Sequence, residues 1–449
     1  MTMKRFFIYF TALAPLLAQR AATKTLWDVY KEGMTVPDRG HSLNIESDFG
    51  AVGDGKTLNT AAIRATLDAA AAWNEKNSNA GVEITIPRGI FLTAPINLTS
   101  HITITVVEGG TLLATDDPLL WPVVAPLPSY GTGRDHIGPR RCPFVGGFNL
   151  SDIVIQGPGT IDGAGENWWK RHILGQEKVT RGRLIEFEYS DGILFDGIKL
   201  QNSPFWTVHP TYCSNVVARN LHIENPHDSP NTDGFDPDST VNVSLVDSYF
   251  SVGDDGVAIK SGWDCFGIDT NIPSKNIHIR NLTVNSPCCA GICIGSEMSG
   301  GVSNVLVEDS NMMQAGQGLR IKSGEGRGGY VENITYRNVN IGNALKWAIQ
   351  INDYYGSRNQ ACGDRNATAM PHLRNIRFEN IAASGIGNGL NAYGLPGSGI
   401  SDLVLRNVTL NVSGSKIYDC SHVGGTFNAD VRPRPTCDKL VPSSSSADK

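Results

Sequence analysis

The chain has 449 residues, 18% of them charged, with a formal net charge of -6. That length is enough for one large repeat domain, and the lack of a global basic field argues against nucleic acid as the main partner. An anionic ligand would have to be held by local cations against a mild overall repulsion.

Residues 1–18 read as a signal peptide. Lys4 and Arg5 precede an apolar run from Phe6 to Leu17, and Ala18 is a small residue at a plausible cleavage point. The run is too short for a membrane span and no later stretch reaches about 20 apolar residues, so no membrane partner is expected. The expected product is a secreted, extracellular monomer. N-x-Ser/Thr sequons open at Asn97, Asn149, Asn242, Asn281, Asn333, Asn366, Asn407 and Asn411, in keeping with secretion. Nine cysteines make the count odd, which leaves at least one thiol free, and Cys420 with Cys437 is the pair expected to staple the C-terminal loop.

Residues 19–43 form a leader without a clear pattern. Structure begins near Ser47–Val52, and Gly53-Asp54-Gly55 is a turn. Thr60 to Trp73 has the strongest helical pattern: Ile63, Leu67 and Ala70 or Ala71 share one face, and Asn59 or Thr60 can cap it. A helix followed only by strands predicts a lid over the open end of a sheet stack.

From Val82 onward short strands alternate with turns. His101-Ile-Thr-Ile, Asp152-Ile-Val-Ile, Asn215-Val-Val-Ala, Asn242-Val-Ser-Leu, Asn276-Ile-His-Ile, Asn304-Val-Leu-Val, Asn333-Ile-Thr-Tyr, Asn375-Ile-Arg-Phe and Asp402-Leu-Val-Leu share one pattern. Between residues 215 and 333 they recur at intervals of 27, 34, 28 and 29 residues, the mark of a solenoid. The fold class expected is all-β: a single-stranded right-handed parallel β-helix over residues 44–440, with an N-terminal capping helix. A β-sandwich with regular turns is the alternative. In the β-helix the repeated asparagines would form a hydrogen-bonded ladder at the bends. Residues 441–449, with four consecutive serines, read as a disordered tail.

The chemistry-bearing stretch is Ser229–Lys260, read together with Arg320-Ile321-Lys322. Asp233 and Asp254 are 21 residues apart, close to one coil, so stacking brings them to similar positions on adjacent rungs. With Asp255 beside them, such carboxylates can divide the work of acid and base, because like charges push at least one pKa up. Glycosidic hydrolysis needs a proton donor and a base for water. Arg320 and Lys322 are two apart on a strand and so share a face while Ile321 turns inward, which suits them to grip a substrate carboxylate. Lys260, with Val257 and Ile259 facing in, should point outward near the acids. Taken singly, an Asp-Asp pair is most often a surface turn or a calcium ligand; the ordered combination is what singles it out.

The segments Asn231-Thr-Asp-Gly-Phe-Asp, Gly253-Asp-Asp-Gly, Ile294-Gly-Ser-Glu-Met-Ser-Gly-Gly and Gly318-Leu-Arg-Ile-Lys resemble the polygalacturonase family, glycoside hydrolase family 28. The resemblance runs from about Ser47 to Asn411 and is strongest to the branch with exo-acting, plant and bacterial members. It implies a right-handed β-helix that cleaves α-1,4-galacturonan in pectin with inversion and without a cofactor or metal. It further implies Asp254 as general acid, Asp233 and Asp255 as the residues that position and activate water, and Asn231 as their support. Arg320 and Lys322 would bind the galacturonate carboxylate on the leaving-group side, and Tyr354 would contact substrate there.

One position departs from the pattern. Where many members carry Gly-His-Gly beside the acid, this chain has Cys288-Cys289-Ala290-Gly291, so Cys289 or a near neighbour stands in for the histidine. A thiol cannot carry an imidazolium's charge. His209 and His227 are candidates to take its place. Trp168, Trp169 and Trp263 are candidates for sugar stacking or core filling, and Trp206 is expected to pack. The competing functions are a calcium-dependent lyase, a pectin-binding protein without turnover, and a hydrolase of rhamnogalacturonan or xylogalacturonan. Exo action is suggested by the resemblance and by the Asp116–Arg141 insertion, which could wall off the cleft.

Overall fold

The computed structural model describes residues 35–356 and 358–442. The expected signal peptide, residues 19–34 of the expected leader and residues 443–449 of the expected tail lie outside the described residues. The chain winds as a parallel β-helix. Its first rung is His41–Asn44, three residues before the predicted start, and it pairs in parallel with Val82–Ile86. The last described rung, Leu440–Pro442, lies partly in the predicted tail and pairs with Val423–Phe427.

Register explains the repeat. Val216, Val243, Ile277, Val305, Ile334, Ile376 and Leu403 stack rung upon rung, and all are buried. The polar residue that opens each segment takes a left-handed bend, from His101 and Asp152 through Asn215, Asn242, Asn276, Asn304, Asn333 and Asn375 to Asp402. Asparagine and aspartate tolerate that conformation because their short polar side chains bond locally. The expected ladder is present: the Nδ2 groups of Asn242, Asn276, Asn304, Asn333 and Asn375 each donate to the previous Oδ1, at 2.6–3.2 Å. A second ladder, not anticipated, runs at the next bend through Asn338, Asn380 and Asn407.

Helix α1, Thr60–Lys76, covers the first coil against His41–Asn44, Val82–Ile86 and Ile96–Asn97, as predicted for a lid. Ile63, Leu67 and Ala70 form its buried face. Asn59 stands at the N-cap position, but its side chain does not cap the helix. Its Oδ1 accepts from the Val52 amide and its Nδ2 donates to the Val52 and Thr57 carbonyls, so it pins the preceding loop instead. Among the described residues no helix is long and apolar enough to cross a membrane.

Three loops clasp one another above one face of the coil. The insertion 116–141 contains an antiparallel strand pair, Val123–Val124 with Arg140–Arg141. Ser129 O accepts from the Trp263 amide, at the start of helix α3, Asp264–Thr270 (helix α2, Glu166–Ile173, lies elsewhere). Asn359 donates to the Tyr130 carbonyl at 2.7 Å, and a disulfide joins Cys265 to Cys362. The expected Cys420–Cys437 disulfide is also present.

Candidate active site

The face beneath that clasp is a stack of strand segments: Ile185–Glu188, Val208–Thr211, the bridge at Phe235, Val257–Ile259, Ala290–Ile294, Leu319–Lys322 and Ile349–Asn352. Phe235 pairs with Val257, and the Gly234 amide bonds the Asp255 carbonyl at 3.0 Å. This sets Asp233 beside the Asp254-Asp255 pair, as the near-coil spacing predicted. Ile321 is in the core, so Arg320 and Lys322 both face the cleft.

Asn231, Asp233, Asp254, Lys260 and Lys322 line one small pocket together with Arg134, Asp135, Phe205, Trp206, Ser296, Glu297 and Tyr355. Asp254 is half-buried. Its Oδ1 accepts from the Asp255 amide at 2.8 Å and its Oδ2 from Asn231 at 3.4 Å. Burial, then the Asp255 charge, pushes its pKa up. Asp255 goes the other way. Burial opposes its ionisation, but the Lys322 ammonium at 2.7 Å, Arg320 and the Ala290 amide at 2.8 Å outweigh that and hold it below the usual carboxylate range. Asp233 is buried with Oδ1 unpartnered, and burial plus Asp236 and Asp254 raise its pKa well above normal. Neighbouring carboxylates have thus been driven apart, the condition for assigning one donor and one base.

Lys260 points away from the core as predicted, yet it is only 3% exposed. Its ammonium lies 3.7 Å from Asp233, 3.9 Å from Asp236 and 3.6 Å from Glu297, and 4.3 Å over the Trp206 ring. It is the counter-charge beside the acids in the pocket lining. Arg320 and Lys322 both flank the Tyr355 ring at 5.4 Å. Tyr355 lines the pocket, whereas Tyr354 is 51% exposed outside it and meets Tyr393 edge-on at 6.5 Å.

Neither histidine takes the missing position. His209 is fully buried between Glu186 at 2.8 Å and Asp238 at 3.2 Å, under the edge of Trp206. His227 is exposed and bonds Ser251. Cys289 does stand beside the acids, its Sγ within 4.8 Å of carboxylate oxygens of Asp254 and Asp255. Trp206 packs as expected, Trp168 is core, and Trp263 lies under Arg134 at 4.6 Å.

Sequence reasoning missed the pocket's far wall. Arg134 bonds Glu297 at 2.8 Å, and Asp135 bonds Arg181 at 2.9 Å. Arg181 is fully buried and also donates to Asn231 at 2.9 Å and to the Pro204 and Pro230 carbonyls. Glu297 stood within a quoted motif, and a charged residue between Gly295-Ser296 and Met298-Ser-Gly-Gly was the available signal. Arg134 and Asp135 lie in an irregular loop, where no periodicity assigns a direction.

A parallel β-helix that carries paired carboxylates of opposed pKa over a cationic floor holds the groups that acid–base cleavage of a glycosidic bond requires. The chain belongs to glycosyl hydrolases family 28, whose model matches residues 77–429, and it is a glycoside hydrolase. It is 40% identical over 401 residues to a probable polygalacturonase of Vitis vinifera, covering 88% of this chain and 80% of that protein. In structure it resembles a hyperthermoactive exopolygalacturonase of Thermotoga maritima, with TM-score 0.74, 26% identity, and coverage of 96% and 97% of the two chains. The polygalacturonase of Erwinia carotovora shares the fold with TM-score 0.67 and 24% identity, over 87% and 97% of the two chains.

Proposed function

We propose that this protein is a secreted exo-acting polygalacturonase that removes galacturonate from one end of pectic chains by inverting hydrolysis of α-1,4 bonds. The observation that carries the exo reading is the asymmetry of the cleft. The 116–141 insertion is pinned at the pocket by Arg134–Glu297 and Asp135–Arg181, which fits a wall toward the amino-terminal coils. Toward the carboxy-terminal coils the cleft continues past Arg320 and Lys322 to the exposed Tyr354. A wall on one side and cations with an open aromatic on the other fit a chain end in the pocket with the polymer trailing away. The likeness to an exopolygalacturonase points the same way.

In this reading Asp254, kept protonated by burial and by Asp255, gives its proton to the leaving glycosidic oxygen. Asp255, held ionised by Lys322, takes the proton from the attacking water, which it shares with Asp233. Asn231 orients Asp254. Arg320 and Lys322 bind the carboxylate of the leaving-side sugar, with Tyr354 beyond them.

The test is a timed digest of polygalacturonate and rhamnogalacturonan by the purified protein, with products resolved by size. Monomer accumulating from the first time points on polygalacturonate is expected. A ladder of oligomers would overturn the exo reading and leave hydrolysis standing. Cysteine in place of the family's histidine favours one rival, a pectin-binding protein without turnover; it would be supported by retained binding with no cleavage of either polymer.

A further inference from the structure

The neighbouring cysteines 288 and 289 have no part in the mechanism above, yet they are built into its supports. In the strand Ser274–Ile294 the register slips between Ser286 and Ala290: four residues there span the two from Ala315 to Gln317 on the next rung. The resulting bulge lifts the cysteine pair out of the ladder. Its two ends are tied to the catalytic loop. Ser286 Oγ donates to the Asp254 carbonyl at 2.6 Å, Cys288 Sγ to the Gly253 carbonyl at 3.0 Å, and the Ala290 amide to Asp255 Oδ1 at 2.8 Å. The two sulfurs are 2.7 Å apart, and Cys289 Sγ faces the carboxylates of Asp254 and Asp255. Of the five cysteines outside the two disulfides, Cys288 is the exposed one, while Cys142 and Cys289 are half-buried and Cys213 and Cys293 buried.

We propose that Cys288 and Cys289 are a thiol-modification site: a small-molecule disulfide such as oxidised glutathione converts them to a vicinal disulfide, and closing that ring retunes the acids to which the bulge is tied. The exposed Cys288 thiolate attacks one sulfur of the oxidant, forming a mixed disulfide and expelling one thiolate. Cys289 sulfur then attacks Cys288 Sγ, forming the Cys288–Cys289 bond and expelling the second thiolate. The two cysteine thiols lose two electrons and two protons; the cleaved oxidant gains them as two thiols. The order follows the environment. The contact from Cys289 lowers the Cys288 pKa, whereas that same contact, burial and the nearby acids push Cys289 up.

Bond formation draws the sulfurs to about 2.05 Å and removes the thiol hydrogens. The Ala290 amide, next in the chain, is one of the groups that keep Asp255 ionised. Pulling it off line raises the Asp255 pKa, because a hydrogen bond to the charged form is lost. The effect on rate rests on the roles given above to Asp254 and Asp255; formation of the bond does not.

The experiment uses the full secreted protein, reduced with a dithiol and then exposed to oxidised glutathione. Free thiols are alkylated and the tryptic peptide Asn281–Arg320 is sequenced by mass spectrometry. Expected is a peptide two hydrogens lighter, with Cys288 and Cys289 unalkylated and Cys293 not bonded. Galacturonate release should fall on the order of tenfold at acidic pH, with the acid limb of the profile displaced upward, and recover on reduction. Cys288→Ser should show neither the mass change nor the redox response. Alkylation of both thiols after oxidation, glutathione retained on Cys288 without the internal bond, or a bond that leaves rate and pH profile unmoved would each overturn the proposal. A protein inactive in both redox states would instead count against the functional assignment, since the mass readout needs no activity.

Discussion

At the bends of the coil, Asn242, Asn276, Asn304 and Asn333 each give an amide hydrogen to the rung before, and each Oδ1 receives one from the rung after. In the cleft, Asp233, Asp236 and Glu297 surround one lysine at 3.6–3.9 Å, and Asp233 and Asp236 keep buried oxygens without partners. The ladder is repetitive and satisfied, so each rung adds a small gain of about 1 kcal/mol. The cleft is irregular and unsatisfied. Its crowding costs stability and yields carboxylates whose proton affinities differ, as catalysis needs. The coil holds together through what repeats and acts through what does not.

The sharpest way to break this contrast is Asp254→Asn. Galacturonate release should fall by about 10²–10⁴-fold, while the melting temperature stays at or above that of the parent, because a half-buried carboxyl group of raised pKa is removed. Retained activity would refute its role as donor. Asp255→Asn should differ in kind. It leaves the buried Lys322 ammonium without its partner, so a urea unfolding curve should show a loss of about 3–5 kcal/mol along with the loss of rate. Equal stability of the two variants would mean that the acids are not divided as described.

Asp353 offers a third test, away from the chemistry. Burial lifts its pKa to about 7, weakly opposed by the Leu395 backbone. A folded pKa above the unfolded one means that the folded state holds the proton more tightly. The stability is therefore complete below about pH 4 and is lost as pH rises toward and through about 7. Asp353→Asn should flatten that part of the melting-temperature profile, a change on the order of a few kcal/mol at neutral pH. An unchanged slope would assign the pH dependence elsewhere. The smallest effect belongs to the ladder. Asn333→Gly keeps the left-handed bend but deletes its bonds to Asn304 and Asn375. It should cost about 1–2 kcal/mol in chemical denaturation with turnover unchanged; an equal loss of turnover would show that ladder and cleft are not independent.

What was legible in the sequence follows the same division. Alternation fixed the direction of Ile321 and hence of Arg320 and Lys322, and recurrent Asn fixed the bends, because both are properties of a repeating strand. The Asp233–Asp254 spacing worked because no insertion separates them within the coil. The wall could not be read: Arg134 and Glu297 are 163 residues apart, joined by a loop that has no period. His209 looked available because sequence does not reveal that Glu186 and Asp238 enclose it from neighbouring rungs. The Cys265–Cys362 link spans 97 residues between two loops, so only the fold brings it together. The outward direction of Lys260 is legible from alternation, but its burial is not, since Glu297 reaches it from a different turn than Asp233 and Asp236.

The most direct test of the divided acids is the pH dependence of kcat/KM on polygalacturonate. A bell is predicted. The rate should fall at low pH as Asp255, held below the usual carboxylate range by Lys322, finally takes up a proton, and at higher pH as Asp254, raised by burial, gives its proton up. A rate that climbs without a basic limb, or that is highest at the lowest pH and falls steadily, would contradict the assignment of Asp254 as donor and Asp255 as base.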